Sequence, residues 1–446
     1  MTDYSFEYRQ KLKTPEEAAR LVKNGDWVEY GTALEMPDLL DKALAARKDE
    51  LFDIRVRGLL ALRPIAVVEA DPERKTFRYE SYYFGGYERK LHEKGLCDFV
   101  PMDYGWLPLI YRNHLSVDVS FLSVPPMDKT GYFNFSLTNG ATKAMLEKSR
   151  TIVLEINENL PRVPGGYDEQ IHISEVDCVV EGEHAPLTEF KTPEPSDIDK
   201  QIAQKIVEEI EDGSTIELGI GGLPAAVGMY IAQSDLKDLG VHTELFSDSF
   251  YELIKSGKIT NQNKKINRGK SVWTFALGTR EFYEWAADNT TLLSYPVDYV
   301  NAPHIMAQNE KLITINNCVE VDLFGQICAE SAGYRQISGT GGQLDFLTGG
   351  FFSKGGKSFI CMTSTYFDKK ENRTKSRVVP ALKEGGIITD PRGCNFCVIT
   401  EWGIINLVGK CVWERAEALI SIAHPDFRDE LIRDAEKKKI WRRSNK

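Results

Sequence analysis

Two kinds of residue stand close together in the middle of the chain: glycines that could bind an anion and a carboxylate that could react. A β-type run, Thr215–Leu218, leads into the glycine loop Gly219–Leu223, and Pro224 follows where a helix would begin. Backbone N–H groups of such a loop, together with the positive end of a helix dipole, favour binding of a negatively charged group. The next strand-like run, Val241–Phe246, carries Glu244. An acid within an apolar strand is costly unless it has a partner or a function.

The glycine loop does not have the spacing of a known nucleotide motif. Its sequence, GIGGLP, is neither the GxGxxG of a dinucleotide fold nor a phosphate loop that ends in Lys-Ser/Thr. A tight strand-to-helix turn without a ligand is therefore an alternative interpretation. Glu244 could equally be a solvated surface charge. His242 lies nearby, but the histidines of the chain show no clustered spacing, which favours a structural role for it.

Further chemistry-bearing residues follow in the C-terminal half. The run Ile337–Phe346 contains three glycines in four positions, and the strand-like run Val398–Glu401 ends in a carboxylate. Such a set suits acyl transfer better than dehydrogenation or phosphoryl transfer. A glutamate that attacks a thioester gives a mixed anhydride and a thiolate, and the thiolate can return to form an enzyme-bound thioester. Glycine N–H groups could hold the oxyanion, and no general base is needed because a carboxylate is ionised at pH 7.

Length and composition indicate a globular enzyme. The chain has 446 residues, enough for two or three domains, and a net charge of −11, which argues against nucleic acid as a partner. No signal peptide and no membrane-spanning run is recognisable, and eight irregularly spaced cysteines are typical of reduced thiols. We therefore expect a cytoplasmic protein. Cys394 and Cys397 have metal-site or redox spacing, an alternative that lacks a second ligand pair.

The strand–glycine loop–helix pattern occurs twice. Glycines at positions 25 and 31 are matched, at one constant offset, by glycines at positions 213 and 219. In each copy a strand follows the first glycine and a helix follows the second. This repetition predicts two similar α/β domains with parallel strands. The polar segment Glu189–Asp197, with two prolines, is the expected linker. We place the domains at residues 1–190 and 196–446. Two further predicted strands are Ala66–Glu69 in the first domain and Val272–Leu277 in the second.

Seven motifs, taken together, resemble a known family. They are GIGGLP, GVHTELFSD, VDYVNAP, INNCVEVDLFGQ, ISGTGGQLDF, VITEWGI and SIAHPDFRDEL. In this order they are similar to the acetyl-CoA hydrolase/transferase group of family I coenzyme A transferases, and within it to butyryl-CoA:acetate CoA-transferases, with 4-hydroxybutyrate CoA-transferases next. The resemblance runs from the KLKTPEEAARLVKNGDWVEYG opening to the C-terminal tail. It implies two open α/β domains of the CoA-transferase type with the active site between them.

The resemblance also implies roles for individual residues. Glu244 matches the glutamate that forms a glutamyl-CoA thioester, Asn301 an amide that faces the reacting carbonyl, and Glu401 a second active-site carboxylate. Gly342 matches both an oxyanion-hole N–H and a CoA contact. The remaining implied CoA contacts are Gly219, Ile220, Gly221, Gly222, Leu223 and Lys369, with Lys370 as the alternative to Lys369.

The activity implied by the resemblance is transfer of CoA between a short-chain acyl-CoA, butyryl-CoA above all, and acetate by a ping-pong mechanism. The substrates would be acyl-CoA thioesters and short-chain carboxylates. No permanently bound cofactor, metal, nucleic acid or membrane is implied, and a homo-oligomer is expected. The alternatives are a 4-hydroxybutyrate or propionate CoA-transferase, an acyl-CoA hydrolase and, more remotely, a non-catalytic CoA-binding protein.

Overall fold

The computed structural model describes residues 3–394 and 396–441, and the chain forms two compact units. Unit 1 comprises Met1–Lys191 and Val272–Val300, and unit 2 comprises Thr192–Ser271 and Asn301–Lys446. Each unit is built on its own open, mainly parallel sheet flanked by helices. The chain is therefore an α/β protein with two similar halves.

The segment Val272–Val300 departs from the predicted domain division, which placed it in the second domain. It packs in unit 1, where the N–H of Asn139 donates to the carbonyl of Thr274 at 2.9 Å. The N–H of Val297 likewise donates to the carbonyl of Gly140 at 2.8 Å. These are long-range backbone contacts, and a local hydrophobic pattern contains no information about them.

The sheet of unit 1 has eight strands, all parallel. Their order is β1-β8-β7-β6-β2-β3-β4-β5. Apolar residues of the central strands, such as Val28, Val56 and Phe121, are fully buried in one cluster with the helices. The strands are β1 Leu12–Lys13, β2 Trp27–Thr32, β3 Ile54–Leu59, β4 Phe77–Ser81, β5 Asp98–Phe99, β6 Val117–Val124, β7 Ser149–Ile156 and β8 Cys178–Val180.

The sheet of unit 2 has six strands in the order β10-β9-β11-β12-β13-β14. The first five are parallel and the last is antiparallel. Ile360 and Val398 are fully buried against the C-terminal helices. The strands are β9 Thr215–Leu218, β10 Gly240–Val241, β11 Leu312–Asn317, β12 Lys357–Cys361, β13 Cys397–Thr400 and β14 Gly403–Asn406.

Both sheets reverse their winding direction beside the first strand of the repeated pattern. From β2 the chain continues to β3 on one side and returns to β6 on the other, and from β9 it continues to β10 and returns to β11. Ligands of open α/β sheets bind at the carboxyl ends of the strands at such a switch point. The paired glycines agree with this repetition, because Gly25 and Gly213 both adopt a positive φ, +80° and +74°.

The helices cover the sheets and connect the parallel strands. They are α1 Ser5–Lys11, α2 Pro15–Ala19, α3 Leu39–Ala45, α4 Ala66–Ala70, α5 Gly86–Glu93, α6 Leu107–His114, α7 Thr142–Lys148, α8 Asp197–Glu208, α9 Gly222–Gln233, α10 Asp248–Lys255, α11 Arg280–Ala286, α12 Val297–Val300, α13 Pro303–Met306, α14 Gln343–Phe352, α15 Val412–Ser421 and α16 Pro425–Lys437.

Short strands and 3₁₀ turns make up the rest of the regular structure. The strands are Tyr132–Asn134, Gln170–His172, Leu245–Phe246, Ser271–Trp273, Phe275–Ala276, Leu292–Ser294, Glu320–Asp322, Ile327–Cys328, Ser331–Ala332, Arg335–Gln336, Thr365–Asp368, Arg373–Ser376 and Val378–Val379. The 3₁₀ turns are Ala33–Glu35, Tyr104–Trp106 and Ile173–Glu175.

Helix α4 contradicts the predicted strand Ala66–Glu69. Two adjacent valines favour a strand, but the carboxylate of Asp41 accepts hydrogen bonds from the N–H groups of Ala66 and Val67, at 2.6 and 3.2 Å. Helix N-termini leave such donors unsatisfied, so an acid supplied from elsewhere in the fold stabilises the helical conformation. A tertiary contact therefore overrides the local preference.

Candidate active site

The glycine loop connects β9 to α9 at the switch point of unit 2. Gly221 is the N-cap of α9 with a φ of +122°, a conformation that requires glycine. A Cβ atom at Gly219 or at Gly221 would meet no atom of the described chain within 4 Å. The loop thus presents bare backbone beside a helix N-terminus, as the sequence pattern predicted, and a ligand can approach its N–H groups closely.

The corresponding helix N-terminus of unit 1 has different surroundings. Helix α3 follows β2 as α9 follows β9, but the carboxyl group of Glu155 lies at its N-terminus. Glu155 accepts hydrogen bonds of 3.0 Å from the N–H groups of Asp38 and Leu40. In unit 1 an internal acid therefore binds the N–H groups at this helix N-terminus, whereas in unit 2 a Cβ atom at Gly219 or Gly221 would meet open space.

Glu244 lies at a break in the chain rather than inside a regular strand. The predicted strand Val241–Phe246 is divided into β10 and Leu245–Phe246, and Glu244 occupies the bend between them, partly buried. The hydroxyl of Thr243 donates to the carbonyl of Leu218 at 3.4 Å and to that of Leu245 at 3.0 Å. Since Leu218 is the last residue before the glycine loop, this contact ties the Glu244 bend to the loop.

Three of the predicted site residues meet at one point. The Nδ2 amide of Asn301 donates a hydrogen bond of 2.7 Å to Oε2 of Glu244. Gly342 lies against the same two side chains, because a Cβ atom at this position would collide with Nδ2 of Asn301 and Oε2 of Glu244. Asn301 is 1% exposed. The Glu244 carboxyl group is therefore held between an amide donor and a backbone that has no room for a side chain.

Helix α14 contributes to the electrostatics of this point. Gly342 is its N-cap, so the N-terminus of a helix of ten residues begins beside the Glu244 carboxyl group. The partial positive charge of a helix N-terminus stabilises negative charge nearby. The start of α14 can therefore stabilise a negative charge on an oxygen placed at this point.

Glu217 is an acid of this region that the sequence analysis did not identify. It lies in β9 and is 4% exposed, and its Oε2 accepts hydrogen bonds from the N–H of Ile315 at 2.9 Å and Nδ2 of Asn316 at 3.0 Å. Burial, aided by the negative charge of Glu244, raises the pKa of Glu217 to about 8. The signal was present in the sequence TIEL, in which an acid interrupts an apolar strand.

Glu401 has different surroundings. It lies in the tight turn between β13 and β14, and its carboxylate accepts hydrogen bonds from the N–H of Ser364, at 2.9 Å, and from the Ser364 hydroxyl. Four strand spacings separate β13 from β10 along the sheet, on the order of 19 Å. Glu401 shares the carboxyl edge of the sheet with the glycine loop, but its described contacts are with Ser364 rather than with Glu244.

Lys369 and Lys370 lie at the tip of the hairpin formed by Thr365–Asp368 and Arg373–Ser376. Both side chains are exposed. The N–H of Lys370 donates to Asp368 at 2.9 Å, which fixes the backbone of the turn but leaves either ammonium group able to reach outwards. The choice between them as a CoA contact stays a prediction.

Neither a metal site nor a thiolate is formed by the cysteine pair. Burial raises the pKa of Cys394 and of Cys397 to about 11, so both thiols are neutral at pH 7. Residue Asn395 between them lies outside the described residues. Within residues 3–394 and 396–441, no group of three or more His, Cys, Asp or Glu is arranged to hold a metal ion. In the same part of the chain, every helix is too short or too polar to cross a membrane.

Comparisons with known proteins identify the family of the chain. Residues 1–189 match the model of the acetyl-CoA hydrolase/transferase N-terminal domain, and residues 278–435 match that of the C-terminal domain. A butyryl-CoA:acetate CoA-transferase from Anaerostipes caccae is 48% identical over 99% of this chain and 100% of its own length. A probable butyrate:acetyl-CoA coenzyme A-transferase from Syntrophomonas wolfei is 47% identical over 99% of this chain and 98% of its own.

The fold of the chain is also similar to that of a solved structure. The crystal structure of RipA from Yersinia pestis has a TM-score of 0.90 and 34% identity, and the match covers 98% of this chain and 100% of RipA. The C-terminal family model contains Asn301 and Gly342, and the full-length relatives cover 99% of the chain. The chain belongs to the acetyl-CoA hydrolase/transferase family.

Proposed function

We propose that the protein transfers coenzyme A between a short-chain acyl-CoA, with butyryl-CoA as the favoured donor, and acetate, through a thioester on Glu244. The observation that carries this proposal is the meeting of three groups at one point: the Glu244 carboxyl group, the Asn301 amide 2.7 Å away and the Gly342 backbone. A nucleophilic carboxylate with an adjacent amide and helix N-terminus can both attack a thioester and stabilise the resulting oxyanion.

The first half-reaction begins with attack of the Glu244 carboxylate on the thioester carbonyl. The C–S bond breaks, CoA leaves as a thiolate, and a mixed anhydride joins Glu244 to the acyl group. The thiolate then attacks the Glu244 carbonyl, and the acid leaves as a carboxylate. Glu244 is now a neutral thioester of CoA, and no net proton has been transferred in these steps. Acetate reverses the sequence in the second half-reaction.

The two oxygens of Glu244 take different parts in this sequence. Oε2 accepts the Asn301 hydrogen bond and lies against Gly342, so it is the oxygen suited to remain as the thioester carbonyl. The other oxygen then forms the anhydride bond and leaves with the acid. When the thiolate attacks, negative charge develops on Oε2, where the amide and the start of α14 can stabilise it.

The glycine loop supplies the binding site for the CoA moiety in this proposal. The protein has a net charge of −11, so an anionic carrier must be bound by local donors rather than by the overall field. Bare backbone at Gly219 and Gly221 beside the N-terminus of α9 provides such donors. The assignment of butyryl-CoA and acetate is supported by the name of the relative at 48% identity, which contains both substrates. The name of the relative at 47% identity contains butyrate and acetyl-CoA, the substrates of the reverse direction.

Initial-rate kinetics test the proposal. Varying butyryl-CoA at several acetate concentrations should give parallel double-reciprocal lines, because the donor acid leaves before acetate binds. Intersecting lines would contradict a thioester intermediate. A parallel assay without acetate distinguishes the transferase from an acyl-CoA hydrolase, which would release free CoA at an undiminished rate. Replacing acetate with propionate or 4-hydroxybutyrate then identifies the preferred acceptor.

A further inference from the structure

Glu217 is a second buried acid, and a hydrogen bond joins the residues next to it and to Glu244: the Thr243 hydroxyl donates to the Leu218 carbonyl. Both of its described hydrogen bonds, from Ile315 and Asn316, are to Oε2 and come from β11, the strand on the far side of the switch point. The proposed reaction through Glu244 does not use it. Burial and a negative neighbour make a carboxyl group costly to ionise, whereas two hydrogen-bond donors make it easier, so its protonation state depends on that neighbour.

The equivalent acid of unit 1 has the opposite kind of neighbour. Glu29 occupies in β2 the position that Glu217 occupies in β9, each four residues after the positive-φ glycine. Glu29 forms an ion pair with Arg57 on β3 and accepts a hydrogen bond of 2.9 Å from the Tyr111 hydroxyl. Unit 1 therefore compensates this acid with a cation, whereas in unit 2 the acid lies beside Glu244.

Groups from three neighbouring strands lie around Glu217. At the end of β10 the fully buried His242 follows Val241, the register partner of Ile216, so His242 lies opposite Glu217. Burial is the largest cause of its raised pKa, the Glu244 charge raises it further, and the N–H of Ile315 and the amide of Asn316 lower it. From β12 the Cys361 thiol faces it, and the pKa of that thiol is itself raised well above its ordinary value by burial. Glu244 is thus the neighbour whose charge changes during the proposed reaction.

We propose that Glu217 is a positioning residue that holds a proton while Glu244 carries its negative charge and releases that proton to solvent when Glu244 becomes the neutral thioester. The inference rests on the proposed function. Its balance is simple: protonated Glu217, ionised Glu244 and acyl-CoA give ionised Glu217, the Glu244 thioester, the free carboxylate and one proton. Glu244 thereby loses its negative charge while Glu217, at the same edge of the sheet, gains one.

Reciprocity of binding makes the inference measurable. If converting Glu244 into a thioester favours loss of the Glu217 proton, then loss of that proton must favour the thioester by the same factor. The equilibrium constant for thioester formation should therefore rise with pH through the range in which Glu217 titrates, near pH 8. Since short-chain acids and CoA phosphates are already ionised above about pH 7, the chemistry itself adds no pH dependence there.

The experiment measures the fraction of enzyme carrying the thioester by intact-protein mass spectrometry at a fixed ratio of acyl-CoA to free acid. Between about pH 7 and pH 9.5 the equilibrium constant of the wild type should rise by about fivefold or more, the lower end of typical coupling. Glu217→Gln, which keeps an oxygen acceptor for Ile315 and Asn316 but cannot ionise, should give a constant value. A merely structural Glu217 would change the amount of active enzyme without changing this pH dependence.

Asp390→Asn is the matched control. Asp390 is another buried acid of unit 2 whose pKa is raised to about 7, by burial and by the charge of Glu330, but Glu244 is not among the causes. This variant should keep the wild-type rise. A wild-type equilibrium that is independent of pH, or a Glu217→Gln variant that keeps the rise, overturns the inference. Absence of any thioester at every pH overturns the proposed function instead.

A measurement on the wild type covers the case in which Glu217→Gln does not fold. Enzyme and acyl-CoA are mixed near pH 8 in weak buffer with a pH-indicating dye, and proton release should accompany thioester formation, at up to one proton per adduct. Glu244→Ala, which binds acyl-CoA without forming the adduct, subtracts protons released by binding alone. Equal release from this variant and the wild type would contradict the inference.

Discussion

Gly342 and Asn301 are so close that position 342 has no space for a Cβ atom, which would collide with the Asn301 amide and with Glu244. Gly342→Ala should therefore displace the amide from the nucleophile and lower kcat on the order of 10²-fold, as misplacement of a reacting group by about 1 Å can do. Gly393→Ala is the control, because a Cβ atom there meets no atom of the described chain within 4 Å. Wild-type turnover by Gly342→Ala would mean that this contact has no part in the reaction.

Asn301→Ala should affect the transition state more than the bound substrate. Its amide donates to the oxygen on which negative charge develops, and loss of one such donor typically lowers kcat by about 10²–10³-fold. KM for acyl-CoA should stay within a few-fold. Gln308→Ala, which removes an exposed amide close by in sequence, should behave as the wild type. A change confined to KM would make Asn301 a substrate-binding residue.

Glu244 should carry a covalent CoA adduct after incubation with acyl-CoA alone. Peptide mass spectrometry should locate the adduct on the peptide containing HTELFSD, and Glu244→Gln should lose both adduct and transfer. The alternative nucleophiles are cysteines, but burial raises the pKa of Cys361 and Cys318 far above neutrality, which makes them poor nucleophiles. Discovery of the adduct on a cysteine would refute the mechanism.

Gly219 is the informative position for testing the glycine loop. Gly219→Val should raise KM for acyl-CoA without loss of fold, because its side chain would project into space that the described chain leaves open. Gly221 is unsuitable, since its φ of +122° strains any residue with a side chain. Circular dichroism and the melting temperature verify the fold of Gly219→Val. An unchanged KM would mean that the loop is only a turn.

Glu217 should make the stability of the protein depend on pH. Its pKa is about 8 in the folded state and near 4.3 in an unfolded chain. Between these values the unfolded state loses a proton that the folded state keeps, so the free energy of unfolding falls as pH rises. The contribution is fully present below about pH 4 and is lost by pH 8, at up to about 1.4 kcal/mol per pH unit.

Glu217→Gln removes this dependence. The melting temperature of the variant relative to the wild type should increase steadily from pH 5 to pH 8, as measured by calorimetry in buffers of equal ionic strength. A difference between the two proteins that stays constant over this range would show that Glu217 is ionised in the folded state at neutral pH.

The strand Thr215–Leu218 and the start of the glycine loop were predicted from the sequence because strand propensity and glycine placement are local properties. The break at Glu244 was not, because it depends on the Thr243 hydroxyl bonding to Leu218 in the neighbouring strand. Helix α4 was missed for the same kind of reason, since its N-terminus is stabilised by Asp41. Local sequence patterns predict individual helices and strands, whereas the break at Glu244 and helix α4 depend on long-range polar contacts.

The residues of the candidate site could likewise be predicted only in part from the sequence. Glu244 was identified as an acid within an apolar strand, and Asn301 and Gly342 through motif resemblance. Their proximity is a property of the fold that no single motif contains. Glu217 was overlooked because the sequence shows only a single polar residue in an apolar strand. Its burial and its neighbours become known only from the structure. The repeat did hold a clue, since Glu29 stands at the equivalent position of the first copy.

The contact of Glu155 with the N-terminus of α3 in unit 1 has a consequence for proteolysis. Because Glu155 already bonds the N–H groups of Asp38 and Leu40, α3 is saturated by the chain itself. The start of α9 is left to a ligand in the proposed function, and a ligand present at 100 times its Kd stabilises the fold that binds it by about 2.7 kcal/mol. Bound acyl-CoA would then make unit 2, which contains α9, more resistant to proteolysis.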